Sequence, residues 1–506
     1  MSTSTRPFTR QVAAAVDAAD TPLAAPEGCV VLTTPDGAAA VADAAHACRG
    51  RLVVTDPAEN AESLAAAAAK DGPVRHLRVV VDLRTSGWPA PPSESLRLLH
   101  DVAFLAASEN YDTLRDGGSF VVLVLDRAVP GAAHPHGALF TGLVKSLAWE
   151  LSGCQVYALL CDEDTWRTGL PHPRHEDSHA PVPPVLQARE GRLQTHTLSP
   201  MPSADPQGQN GITSRSAIVA VGGGQGITAA ILRTIAEQHR PRIWVVGTTH
   251  LAHAASPYAP RTLADILRNE PGLPVLQARE RLDRLRRAAA TQDTITALRS
   301  ACGADRVRYL TCDITDASAV EAAVDTIYAG TPDVGLLINA AGIKRAAALG
   351  NKTLATFRAV RDLKLLGYHH LKQAFAGRQP DRWCNFGSFV GAIGFPGETD
   401  YTACSDFLAA AACYEHSLRP GTHSELTIEW PLWGEVGMEA TRQSRARHTQ
   451  QQTLTPISTA EGIACFLQQM SWPWQDHPVI TWLGDREVDL ITQRWPHMVP
   501  TDGSTS

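Results

Sequence analysis

The chain has 506 residues, 44% hydrophobic and 19% charged, with 45 Lys and Arg against 52 Asp and Glu, a net charge of −7. That balance suits two to four globular units at ~150 residues each, and it argues against non-specific nucleic-acid binding, which needs a basic surface. The first residues, MSTSTRPFTRQ, hold no apolar run, no stretch reaches a membrane span, and the 10 Cys include no C-x-x-C pair, so no secretion signal, membrane insertion or metal site is expected, and a cytoplasmic protein with reduced thiols is.

Two strand–helix series follow, separated by a polar joint. In the first, about residues 27–200, GCVVLTT (28–34) predicts a buried strand and AAAVADAAHACR the helix after it; RLVVT, LRVVVDL and SFVVLVLD are further apolar, β-branched strands. Strands interleaved with helices predict a parallel sheet covered on both faces. The turn after the first strand, Thr33-Thr34-Pro35-Asp36-Gly37, has one glycine, and Pro35 removes a backbone donor, so no working nucleotide site is expected there. The joint THTLSPMPSADPQGQNGITSRS (195–216) has the composition of a linker or exposed loop. The second series starts at SAIVAV (216–221) and continues with PRIWVVG, RVRYLTCD, VGLLINAAG, WCNFGSF and LTIEWPLW, the pattern of a doubly wound sheet. The expected fold is therefore α/β, with two Rossmann-like doubly wound parallel-sheet subdomains: a structural one over residues 1–205 and a catalytic one over 206–506.

The second series carries the chemistry. Gly222, Gly223, Gly224, Gln225 and Gly226 follow a strand and open a helix. Glycines there allow a tight turn and close approach to a pyrophosphate, and the helix start supplies free N–H groups. Ser388 ends the strand WCNFGS, Tyr401 lies 13 residues later on a helix, and Lys364 sits in the preceding helix. Parallel strands bring their C-terminal ends to one side of the sheet. A phenol is a weak acid, and a nearby ammonium stabilises its phenolate. Ser388 would hydrogen-bond a substrate carbonyl, and Tyr401 would protonate its oxygen as hydride arrives.

These residues resemble a short-chain dehydrogenase/reductase, and more narrowly a polyketide synthase ketoreductase. Such ketoreductases take their lysine from the preceding helix, as Lys364 would be, and place Asn four after the tyrosine, where this chain has Ser405. GGGQGIT resembles the turn of ketoreductases in polyunsaturated fatty acid and enediyne synthases. The Arg-rich LQARERLDRLRRAAATQDTITALRSACG, INAAGIKRAAALG and WPLWGEVGMEA, a loop that closes over cofactor and substrate, resemble further segments of theirs. GALFTGLVKSLAWEL and EGRLQTHTL resemble the structural subdomain that precedes such domains.

The resemblance implies a cofactor site. Gly222, Gly223, Gly224, Gly226 and Ile227 would take the pyrophosphate side, Asp313 and Ile314 the adenine side, and Asn339, Ala340, Ala341 and Gly342 would line the cofactor. It implies NADPH, with NADH as the alternative because Thr248 replaces the arginine that meets the 2′-phosphate. Arginines 279, 281, 284, 286 and 287 of the inserted helix either contribute or face water. Leu-Asp-Asp is replaced by Lys344-Arg345-Ala346, and Ile393 stands where the opposite stereochemical type has Trp, so neither product configuration is marked.

Without a phosphopantetheine attachment site or a Gly-x-Ser-x-Gly elbow, the chain is expected to be a discrete reductase acting in trans, or one excised from a larger chain, free to form a homodimer. Its expected partner is an acyl carrier protein bearing a β-ketoacyl group, met by a patch of Lys344, Arg345 and Lys352. The alternatives are a reductase of a free small ketone or sugar, and a catalytically silent docking protein, the last motivated by Ser405 and Thr248.

Overall fold

The apolar runs form strands whose burial is continuous: every residue of Ser119–Leu125 and of Ala217–Val221 is buried, as strands with helices on both faces require. The computed structural model describes residues 5–127, 132–174, 182–189, 192–201, 211–251, 262–420, 425–438, 454–471 and 477–499. Its strands are β1 (Thr5–Val16), β2 (Val30–Thr33), β3 (Arg51–Val54), β4 (His76–Asp82), β5 (Ser119–Leu125), β6 (Gln155–Cys161), β7 (Val185–Arg189), β8 (Arg192–Pro200), β9 (Ala217–Val221), β10 (Arg242–Gly247), β11 (Val307–Thr311), β12 (Leu336–Asn339), β13 (Trp383–Ser388), β14 (Glu425–Trp430) and β15 (Val479–Gly484).

All fifteen share one sheet, in the order β11-β10-β9-β12-β13-β14-β15-β1-β8-β7-β6-β5-β4-β2-β3. In the second half β11 to β15 run parallel, and the order reverses between β9 and β12. A crevice opens at such a reversal, beyond the strands' C-terminal ends. The first half is also parallel from β3 to β7 and reverses between β2 and β4.

The two halves therefore have the doubly wound pattern expected, but their sheets are continuous. β1 joins them, antiparallel to β15 on one side (Phe8↔Thr481) and to β8 on the other (Phe8↔Pro200). The joint at 195–216 is corrected in its first part. Residues up to Pro200 belong to β8, with Thr195 and Thr197 buried, while 202–210 lie outside the described residues. Threonine suits a pleated strand, and pairing on both edges overrides the loop-like composition.

Packing ties the halves together on one face. The helix Gly137–Glu150 of the first half lies against the helix Thr399–Leu418 of the second. A Cβ on Gly142 would stand 2.5 Å from Ala403 Cα, so only glycine permits this approach. Ser146 Oγ donates to Thr402 Oγ1 at 2.8 Å, and Trp149 Nε1 to the Ile393 carbonyl at 2.9 Å.

Beneath lies a buried ionic cluster. Asp406 accepts from Arg10 Nη1 (2.6 Å), Lys145 Nζ (2.7 Å) and Thr141 Oγ1 (2.7 Å). Arg10 also pairs with Glu429, which takes the Thr481 hydroxyl at 2.6 Å. Strand, first-half helix and second-half helix meet in one charge-balanced knot, with two cations and two carboxylates.

Candidate active site

Parallel strand ends and helix starts converge on one cavity of about 670 Å³. Its walls include Gly222, Gly226, Ile227, Ala340, Gly342, Lys364, Ser388 and Tyr401. Ser388 ends β13, in register with Trp430 of β14, and stands directly before the short helix Phe389–Ile393. Tyr401 lies in the first turn of Thr399–Leu418, where Asp400 accepts its backbone N–H at 2.8 Å. Lys364 reaches over from the helix Leu354–Ala374.

Lys364 is buried and donates to the Phe386 carbonyl at 2.8 Å. Burial pulls its ammonium below the usual lysine range. Its Nζ lies 6.0 Å from the centre of the Tyr401 ring, and Lys344 Nζ lies 5.9 Å from the same centre. Lys344 pairs with Glu398 at 3.0 Å, both on the cavity wall. Burial pushes the Glu398 carboxyl up, against the pull of Lys344. The arrangement brings a phenol within about 6 Å of two ammonium groups, on one cavity wall with a serine hydroxyl and the apolar Phe389, Phe395, Trp430, Leu432 and Trp433. Such a set can hold a carbonyl by hydrogen bonds and deliver a proton to it.

Of the four catalytic candidates, Ser405 alone stands apart from this wall. It is fully buried and faces the short helix Phe389–Ile393, where a Cβ on Gly391 would come within 2.9 Å of its carbonyl carbon. Its hydroxyl makes no hydrogen bond. One helical turn along the same face from Tyr401, Ser405 lies in the packing against the short helix and off the cavity wall.

The glycine turn fits a dinucleotide. Gly222 and Gly226 adopt φ of 82° and 64°, and a Cβ on Gly222 would stand 2.9 Å from the Ala340 carbonyl carbon. Backbone there is left open to a phosphate at the start of the helix Gly226–His239. Gly223 and Gly224 serve packing, since a Cβ would press within 2.8 Å of Ala220 and of Thr291 respectively. Gly342 makes room for Lys364, whose Cε would lie 3.1 Å from an added Cβ.

The remaining cofactor candidates lie near these strand ends without lining the cavity. Thr248 is exposed just past β10. Asp313 is exposed, with its Oδ1 accepting from Thr315 N and Oγ1 at 2.9 and 2.8 Å. Ile314 is buried against Gly367, Asn339 is buried and donates to Asn385 at 3.0 Å, and Ala341 packs against the core.

Sequence reading missed Glu398 and did not assign Arg287 to the site. Arg287, whose carbonyl takes Gln225 Nε2 at 3.1 Å, is the only one of the five inserted-helix arginines on the cavity wall. The proposed carrier patch is corrected. Lys352 is buried in an ion pair with Asp400 at 2.6 Å, Lys344 faces the cavity, and only Arg345 of the three is exposed. The loop WPLWGEVGMEA lines the cavity with Trp430, Leu432, Trp433, Val436 and Met438; residues 439–440 lie outside the described residues.

His136 and His369, distant in sequence, meet with Nε2 atoms 3.4 Å apart. Among the described residues no group of His, Cys, Asp and Glu is placed to hold a metal ion, and no helix is long and apolar enough to cross a membrane.

Residues 216–435 match the family model described as KR domain. Polyketide synthase PksN of Bacillus subtilis is 25% identical over 192 residues, 37% of this chain and 4% of that protein. Polyketide synthase GfsB of Streptomyces halstedii is 32% identical over 151 residues, 30% of this chain and 2% of that one. The chain thus spans a small fraction of these relatives. Among solved structures, a ketoreductase domain from the bacillaene assembly line superposes with a TM-score of 0.62 at 16% identity, covering 98% of this chain and all of that one. An A1-type ketoreductase gives 0.64 at 20% identity, covering 98% and 96%. The KR match thus covers residues 216–435, and the chain as a whole shares the fold of solved ketoreductase domains.

Proposed function

We propose that the chain reduces the β-keto group of an acyl thioester, presented by an acyl carrier protein, to a β-hydroxy group with NADPH. The observation that carries this reading is the single cavity that Lys364, Ser388, Tyr401 and the glycine turn share. A nicotinamide cofactor, when bound, would supply the hydride for the carbonyl carbon. Ser388 donates a hydrogen bond to the carbonyl oxygen, and Tyr401 gives that oxygen its proton. Lys364 and Lys344, each about 6 Å from the ring centre, stabilise the phenolate left behind. Gly222 and Gly226 would hold the pyrophosphate, and Arg287, also on the cavity wall, would face a phosphate group. In this reading residues 1–205 are the structural subdomain and 206–506 the catalytic one. The polyketide synthases that the chain resembles support a substrate from that chemistry.

The test is oxidation of NADPH, against NADH, with a short β-ketoacyl thioester on a carrier protein and in free form. Wild type is expected to turn over the thioester and prefer NADPH. Tyr401→Phe should lower turnover by ~10²–10⁴-fold while cofactor binding, read from tryptophan fluorescence, persists. Full turnover in Tyr401→Phe would remove its role, and reduction confined to unrelated free ketones would remove the carrier-borne substrate.

A further inference from the structure

The first half has a second cavity, also about 670 Å³, on the opposite strand ends from those that build the active site. Its walls are the starts of β4, β5 and β6 and the residues 21–26. Thr21, His76, Arg78, Ser119, Gln155 and His172 supply its polar side chains, and among the described residues no carboxylate lines it.

Arg78 is only 2% exposed, yet among the described residues it has no ion pair. Its Nη1 donates to Ser119 Oγ at 3.2 Å and, at 3.5 Å, to the Leu77 carbonyl, while Nε has no partner. A buried guanidinium without a counter-charge is unfavourable, because its lost hydration is not replaced. The neighbours also present donors. Ser119 Oγ accepts from Arg78 and lies 3.0 Å from His76 Nδ1, to which its own hydrogen is free to point. In that arrangement the His76 hydrogen sits on Nε2. Desolvation and the charges of Arg78 and Arg75 keep His76 below the usual histidine range. An incoming anion would find a guanidinium edge and an imidazole N–H.

We propose that this cavity is a binding site for a small oxyanion, the phosphate or carboxylate group of a ligand, held by Arg78 and His76. The site is independent of the reductase reading. Its ligand completes the charge that the chain leaves open, and the planar guanidinium matches either group in a forked hydrogen bond.

The experiment is thermal unfolding of the full chain in inorganic phosphate, in acetate, and in sodium chloride at equal ionic strength. Phosphate or acetate at 10 mM is expected to raise the midpoint by about 2 °C or more beyond chloride, and the better of the two names the source. Arg78→Met should abolish that excess, because methionine keeps the apolar stem and loses the fork. A shift equal to chloride, or one that survives in Arg78→Met, would overturn the proposal. Should Arg78→Met not fold, calorimetry of wild type in excess NADPH decides. Saturable heat with phosphate or acetate supports the site, and its absence sinks it.

Discussion

Asp406 is the residue whose loss should be felt most widely. Its side chain is 4% exposed and takes Arg10, Lys145 and Thr141 together. Burial disfavours charge on both Lys145 and Asp406, but two cations hold the Asp406 carboxyl below its usual range. Lys145, set beside Arg10, is pulled down to about 8 despite its carboxylate. Asp406→Asn keeps the volume and removes one of two negative charges. The amide can still accept, but its NH₂ must face one of the donors, and a net positive charge stays buried. Leaving such a charge unpaired costs about 3–5 kcal/mol. Tyr401 lies five residues upstream, about 7.5 Å along the same helix. A displacement of about 1 Å can cost 10²-fold in rate, so kcat should fall ten- to a hundredfold with KM little changed. Urea unfolding followed by tryptophan fluorescence measures the first effect and steady-state NADPH oxidation the second. A variant within about 1 kcal/mol and twofold in kcat of wild type would show that the cluster neither stabilises the junction nor sets the helix.

Gly342→Ala puts a methyl 3.1 Å from Lys364 Cε and 3.3 Å from its Nζ, which is held by the Phe386 carbonyl. It should lower kcat about tenfold through the displaced ammonium while stability stays within about 1 kcal/mol, as paired kinetics and urea unfolding would show. His369 is buried, with its Nδ1 on the Pro89 carbonyl at 2.7 Å, and burial pulls it down to about 4. Its folded value is depressed, so the stability it contributes is present above ~6.5 and is lost as pH falls toward 4. Near pH 5 that loss is about 2 kcal/mol. Relative to wild type, His369→Phe should therefore gain about 2 kcal/mol between pH 7.5 and pH 5 in urea titrations. A pH-independent difference would mean that His369 titrates normally. Comparing variant with wild type removes the opposite trend of buried carboxylates such as Glu425 and Glu429, which burial holds high.

The parts of the fold that were legible are those written in consecutive residues. Apolar runs such as SFVVLVL and AIVAV announced buried strands, and the glycine turn announced its helix. Ser388 and Tyr401 were legible because one ends a strand and the other starts a helix, and the sheet delivers both to one edge. β1 was not, because its strand character comes from partners far along the chain: Phe8 pairs with Thr481 and Pro200; β8 was not, because its polar composition reads as a loop until β1 and β7 pair with its edges. Lys352 was misread for the same reason. A lysine in a polar stretch resembles surface until the Asp400 that buries it is brought alongside. Ser405 shows the converse, since spacing along a helix fixes its angle but not which neighbour stands there.

The first half is therefore more than a spacer. The reduction proposed needs Tyr401 held within tenths of an ångström of a carbonyl, and the helix that carries it leans on elements from before residue 206. Gly142 lets that helix approach, Ser146 fixes Thr402, and Lys145 anchors Asp406 as well as the Gly391 carbonyl at 2.8 Å. Arg10, from the first strand, closes the cluster against Glu429 of β14. Each contact crosses from one half to the other, and each is made by a side chain or a missing side chain rather than by a loop. What the first half gives the active site is rigidity at the back of one helix, and rigidity asks nothing of its own strand ends.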